Sequence, residues 1–185
     1  MAHEVAHGAA ALYFGDPTAK NQGRLTLNPL KHIDLFGSII LPLLLIITNS
    51  GFLMGWAKPV PYNPYNLKKR RLGEFCVSIA GILTNFAIAI VFAVVIRFAV
   101  TLSLSQPVIE LLLYIILLNV TLGIFNLIPI PPLDGSKILF TLIPYKYEHH
   151  LAALEKYGFY FLIFFIVFFG QYISQAVLAV MKLML

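Results

Sequence analysis

Charge is scarce in this chain: Asp, Glu, Lys and Arg make up 11% of its 185 residues, against about 25% in an ordinary soluble domain. Cysteine is nearly missing. The lone Cys76 rules out an internal disulfide and any cysteine-built zinc cluster, so a metal would have to be held by His and carboxylate groups. Tryptophan occurs once, while fifteen Phe and nine Tyr suit lipid-facing and interfacial positions. The sequence opens directly on Met1-Ala2-His3-Glu4, without the basic leader, apolar stretch and small-residue cleavage site of a signal peptide.

Apolar residues are abundant instead, at 59%, and the mean hydropathy is +0.86. Such a composition calls for a bilayer. The formal charge of +5 does not point to nucleic acid, because the Lys and Arg residues sit in short connections between apolar runs, where membrane proteins concentrate them.

Residues 1 to 14 read as a helix, short for a bilayer, that stops at Gly15-Asp16-Pro17. The polar stretch from 18 to 35, with Asn21-Gln22-Gly23 and the alternation Arg24-Leu25-Thr26-Leu27, suggests a small hairpin at the membrane face. Phe36 to Trp56 is long enough to span, yet Pro42 and Asn49-Ser50-Gly51 could fold it back on itself. Charge favours the re-entrant alternative. If the segment spans, Lys20, Arg24 and Lys31 are separated from the eight positive residues of the 57 to 71 and 129 to 156 connections; if it re-enters, all eleven share one side. Residues 57 to 71 form a proline-stiffened basic connection, and apolar spans follow at Leu72 to Val100, Pro107 to Ile128 and Tyr157 to Leu185. The expected fold is an all-α membrane protein, a polytopic transmembrane helix bundle with a re-entrant segment and a membrane-face hairpin, forming one domain over 1–185.

His3-Glu4-Val5-Ala6-His7 matches the pattern His-Glu-x-x-His. Residues four apart on a helix share a face, so two imidazoles can grip one ion while Glu4 stands beside it as a base. Zinc needs a third protein ligand and an open position. Asp16, Asp34, Glu74, Glu110 and Asp134 are the acids in or beside apolar segments, and His32, His149 and His150 lie in polar connections. Asp134 is the most telling of these, because Pro129 to Gly135 forces the backbone out of helix at membrane depth, which is tolerated around a cavity. The competing reading makes Asp134 a cap for a helix starting near Ser136.

The combination of His3-Glu4-Val5-Ala6-His7 with Leu133-Asp134-Gly135 after a late span resembles the site-2 protease family of intramembrane metalloproteases, in its compact bacterial and archaeal branch. Further matches are Gly15-Asp16-Pro17, Gly23-Arg24-Leu25-Thr26-Leu27-Asn28-Pro29, Gly55-Trp56-Ala57-Lys58-Pro59-Val60-Pro61, Ala80-Gly81 with Asn85, and Asn126-Leu127-Ile128-Pro129. The resemblance implies one zinc per chain on His3, His7 and Asp134, with Glu4 as the catalytic base. It also implies that Asn85 and Asn126 face the metal cavity, to steady an oxyanion or hold the substrate extended; interhelical hydrogen bonds, worth about 1 kcal/mol, are the alternative. Two positions depart from the pattern. Ile82 stands where the family has proline, and only Met1 and Ala2 precede His3, where the family carries further apolar residues, so the first turn is expected to fray.

The function implied is endopeptidase action on transmembrane segments of other proteins, in a multi-pass protein of the cell membrane. Its partners would be transmembrane substrates and the lipid bilayer, with no nucleic acid. The runner-up is a metal-binding membrane scaffold that holds client helices without cutting them. Retention of Glu4, which a scaffold would not need, favours the enzyme.

Overall fold

The structure is a computed structural model that describes residues 1–49, 51, 55 and 57–185, with backbone alone at 145, 148–150, 152 and 153. Seven α-helices are found among the described residues: α1 Ala2–Tyr13, α2 Thr18–Asn21, α3 Leu41–Ile47, α4 Arg70–Arg97, α5 Gln106–Leu127, α6 Asp134–Leu142 and α7 Glu148–Met184.

Three helical stretches are long and apolar enough to cross a membrane: Arg70–Arg97, Gln106–Leu127 and Leu154–Met184. This agrees with the three spans expected from hydropathy. The protein is a helical membrane protein, and its apolar exterior follows from that: Phe161, Phe164 and Phe168 on α7 and Val91 and Val94 on α4 are all exposed. The interior is built from small and branched residues that let helices approach. Ala89 and Ala93 of α4 meet Ile116 and Val120 of α5 and Val177 of α7 in one buried cluster.

α4 is the hub, packing against α1, α5 and α6. With isoleucine at 82 it runs unbroken for 28 residues. Arg97 of α4 donates to the Met184 carbonyl at the end of α7 (3.2 Å), so these two helix ends lie together. At the opposite end Arg71 donates to the Ile143 carbonyl after α6 (2.8 Å).

The segment beginning at Leu35 is a π-helical turn, Leu35–Ile40, continued by α3. Asp34 caps it, its Oδ1 accepting from the Gly37 amide at 2.7 Å. Together they make a helix of Leu35–Ile47, too short to cross. The chain then turns through Asn49 and Gly51, both at positive φ; Ser50 and Trp56, which also figured in the sequence reading, lie outside the described residues. By Gly55 it has come back against Gly37, so closely that a Cβ there would stand 2.7 Å from the Gly37 carbonyl oxygen. Lys58 N–H donates to the His32 carbonyl (2.9 Å), which brings both ends of the apolar segment to one place. The two ends of the segment thus lie together, the arrangement expected of a re-entrant path.

The hairpin expected before Asn28 does not form. Residues 18–21 are helix, 29–32 a 3-10 turn, and no strand occurs among the described residues. The alternation Arg24-Leu25-Thr26-Leu27 has another cause. Arg24 turns inward, 8% exposed, and its guanidinium donates to the carbonyls of Lys31, Lys58 (2.9 Å) and Pro59 (3.1 Å). A single chain is clamped there, with no partner strand.

Candidate metal centre

Three elements meet at the site. α1 carries His3, Glu4 and His7 on its first two turns; α6 begins at Asp134, where the Pro129–Pro132 run has stopped α5 from continuing; and α4 passes behind both. The His3 and His7 Nε2 atoms lie 3.0 Å apart. Asp134 Oδ2 is 3.2 Å from the first and 3.1 Å from the second. No other group of three His, Cys, Asp or Glu residues able to hold a metal occurs among the described residues. Asp134 makes no capping bond with its side chain, so the cap reading fails.

The donor set fits a tetrahedral ion. Metal–ligand bonds of about 2.0–2.1 Å at tetrahedral angles separate the ligand atoms by roughly 3.3–3.4 Å, close to the three edges observed. Asp134 Oδ2 is buried and accepts no hydrogen bond. His7 Nδ1–H donates to the Val77 carbonyl (2.6 Å), which fixes the tautomer and leaves Nε2 with a bare lone pair. His3 is steadied by Asn85, whose amide stands 3.1 Å from Nδ1. Asn85 makes no other hydrogen bond among the described residues, so its amide can turn the oxygen to a protonated Nδ1 without loss. His3 lies in the first turn of α1, and this contact from α4 supports it from outside the helix.

Gly81 explains why both rings fit. A Cβ there would lie 2.5 Å from His7 Nε2 and 2.6 Å from His3 Cε1, so α4 offers bare backbone to the imidazoles. Gly135 has a similar role at the start of α6, where a Cβ would stand 2.4 Å from the Leu127 carbonyl oxygen.

The remaining sequence candidates separate clearly. Glu4 lines the same cavity, of about 160 Å3, with Oε2 accepting from the Val60 amide (2.9 Å). Asn126 also lines it and gives one amide hydrogen to the Leu122 carbonyl of its own helix (3.0 Å). Asn85 is 2% exposed and spends its amide on His3. The other acids are engaged elsewhere: Asp34 as a cap, Glu74 with Arg70 (3.0 Å) and Glu110 with Gln106 (3.1 Å). His32 contacts the Thr26 carbonyl, and the side chains of His149 and His150 are outside the described set.

Comparison with known proteins gives this geometry a family. The model of peptidase family M50 matches residues 99–169, the stretch that holds Asn126 and Asp134. A Bacillus subtilis protein named "Putative zinc metalloprotease YwhC" is 42% identical over 178 residues, which cover 92% of this chain and 78% of the relative. This chain belongs to peptidase family M50. As an M50 member it is a metalloendopeptidase. A Mycolicibacterium smegmatis protein named "Putative zinc metalloprotease Rip2" is 29% identical over 161 residues, covering 85% of this chain and 59% of its own. "Zinc metalloprotease MJ0392" of Methanocaldococcus jannaschii is 42% identical over 77 residues, 42% of this chain and 22% of that protein. No solved structure matches.

Two further residues of this M50 peptidase shape the site: Asp16, read in the sequence only as a candidate acid, and Tyr62, which had no sequence signal of its own. Asp16, fully buried, accepts from the Thr18 hydroxyl and amide, the Asn66 side chain (2.9 Å) and the Asn63 amide (2.7 Å). Burial pushes its carboxyl pKa up, but those four donors outweigh it and hold the group below its ordinary value. Asp16 thereby ties the 57–69 connection to the end of α1. Tyr62, on that connection, lines the metal cavity. Burial, then the charges of Glu74, Asp134 and Glu155, push its phenol up to about 12. A second cavity of about 290 Å3, lined by Arg70, Arg71, Glu74 and Glu155, adjoins the first across a shared wall of Tyr62 and Lys137.

Proposed function

We propose that this protein is an intramembrane zinc endopeptidase that hydrolyses peptide bonds within or near transmembrane segments of other membrane proteins. The observation that carries the reading is the convergence of His3 Nε2, His7 Nε2 and Asp134 Oδ2 within 3.2 Å of one another beside Glu4, at the flank of an apolar helix bundle. One zinc per chain on these three atoms would polarise the scissile carbonyl and lower the pKa of water at the site.

Glu4 supplies the proton traffic. Its Oε2 is held by the Val60 amide, while Oε1 takes no hydrogen bond from the described residues and is available to an attacking water. Glu4 removes a proton from that water and returns it to the leaving amine. Asn85 orients His3 through its ring nitrogen, and Asn126, with one amide hydrogen still unspent, offers a contact to the substrate backbone. The apolar exterior supports a multi-pass protein of the cell membrane that meets transmembrane substrates through the bilayer. A helical substrate would have to unwind locally, since hydrogen-bonded amides are shielded from attack.

The scaffold reading gains nothing from the geometry, because the carboxylate of Glu4 lines the cavity without joining the ligand set. Comparing the detergent-solubilised protein with Glu4→Gln tests the proposal, with cleavage of a membrane-protein substrate and bound zinc measured together. Retained zinc with a rate lowered about 10^2–10^4-fold is expected. Equal cleavage by both proteins would remove Glu4 from the mechanism.

A further inference from the structure

The donors around the metal cavity are nearly all committed. Val60 N–H points to Glu4, and the Ser78 hydroxyl donates to the Glu74 carbonyl. His7 Nδ1–H goes to Val77, and Asn126 has given one of its two amide hydrogens to Leu122. Pro59 and Pro132 have no N–H to give.

Two donors of the lining have no hydrogen-bond partner among the described residues, the Lys137 ammonium and the Tyr62 hydroxyl beside it. The ring of Tyr62 is nonetheless fixed. One side packs on the buried cluster of Ala11, Leu67 and Val77. The Lys137 ammonium sits 5.6 Å from the ring centroid, a cation–π contact. Two residues flanking it in sequence are also pinned, Val60 by Glu4 and Asn63 by Asp16. An unspent donor on a fixed ring beside a hydrolytic site is preorganised to meet negative charge that appears only during the reaction.

Resting on the function proposed above, we propose that Tyr62 is a catalytic residue whose phenol O–H donates a hydrogen bond to the carbonyl oxygen of the scissile peptide as that oxygen becomes negative. Tyr62 transfers no proton. Burial, and after it the neighbouring carboxylates, push the phenol up, which favours its protonated, hydrogen-donating form. The adjoining Lys137 charge adds positive potential on the same wall.

Tyr62→Phe tests this, since it removes the hydroxyl and keeps the ring contacts. With zinc-loaded protein in detergent, kcat is expected to fall about 10^2-fold, with KM, bound zinc and Tm unchanged. A second readout needs no turnover. A peptide with a tetrahedral phosphinate at the scissile position should bind Tyr62→Phe more weakly by a similar factor in calorimetry, while the planar parent peptide binds the Glu4→Gln and the Glu4→Gln/Tyr62→Phe proteins equally. An unchanged kcat, a change confined to KM, or equal phosphinate affinity would overturn the role. If the Phe variant misfolds, fluorinated tyrosines at position 62 vary phenol acidity at nearly constant shape, and a rate indifferent to that acidity would overturn it as well. Absence of Glu4-dependent cleavage by the unaltered protein takes down the proposed function and this inference together; intact cleavage with an indifferent Phe variant removes the inference alone.

Discussion

A methyl group at position 81 would occupy the space of two imidazole edges at once, so the metal site depends on a side chain that is missing. Glycine inside a helix ordinarily costs about 0.5–1 kcal/mol relative to alanine. Gly81→Ala should therefore leave α4 intact and even stiffen it while displacing the rings, and zinc content after dialysis should drop sharply without a matching fall in the Tm of the metal-free protein. Asn85→Ala removes the group that orients His3, and a loss of roughly 10–100-fold in zinc affinity is expected from competition with a chelator of known strength. Asp16 acts through pH. Its folded-state pKa lies below the ordinary value of 3.8, so the stability it contributes is present above that value and is lost as pH falls through the lower, folded one. The Tm gap between the unaltered protein and Asp16→Asn should be open at pH 7 and narrow below about pH 4.

Between helices, the extended connection after the re-entrant segment determines how α1 presents its residues. Arg24 grips it at Lys58 and Pro59, Glu4 receives the Val60 amide, Asp16 holds Asn63 and Asn66, and Lys68 N–H reaches the Phe14 carbonyl. Arg24→Met should cost about 2–4 kcal/mol, the scale for losing charge-assisted hydrogen bonds to several backbone carbonyls, and should expose residues 57 to 63 to proteolytic nicking. Legibility in the sequence divides at this level. The His-Glu-x-x-His turn and the proline break before Asp134 could be read because each is local, a four-residue helical spacing or a run of residues that cannot continue a helix. The three long spans were readable for the same reason. The partners of Asp16 lie 47 and 50 residues away and leave no periodic trace. Arg24 imitated a strand because one inward-facing cation among apolar neighbours produces the same alternation as a pleat. Tyr62 was hidden in a proline-rich stretch whose composition speaks only of extension.

For the whole molecule, the closeness of Lys58 and His32 means that cysteines introduced at positions 31 and 58, after Cys76 is replaced, should react with a membrane-impermeant reagent from the same side. Labelling from opposite sides would contradict the re-entrant path. Metal removal should be felt beyond the site, because the ligands join α1 to α6 across α4. Chelation should lower stability by about 2.7 kcal/mol if zinc had been present at a hundred times its Kd, read as a fall in Tm that Glu4→Gln shares and Asp134→Ala abolishes. The contact of Gly81 with both imidazoles also fixes how far along α4 the site lies. Position 81 lies eleven residues along α4 from Arg70, roughly 16 Å at 1.5 Å per residue, about half of a hydrocarbon layer near 30 Å thick. Hydrolysis consumes a molecule that this layer excludes. The cavity bordered by Arg70, Arg71, Glu74 and Glu155, with Tyr62 and Lys137 at its inner wall, leads from the basic end of the bundle toward that depth. On the function proposed above, water would reach the site through this polar cavity, and bulky apolar side chains introduced along it should slow the reaction without touching a ligand.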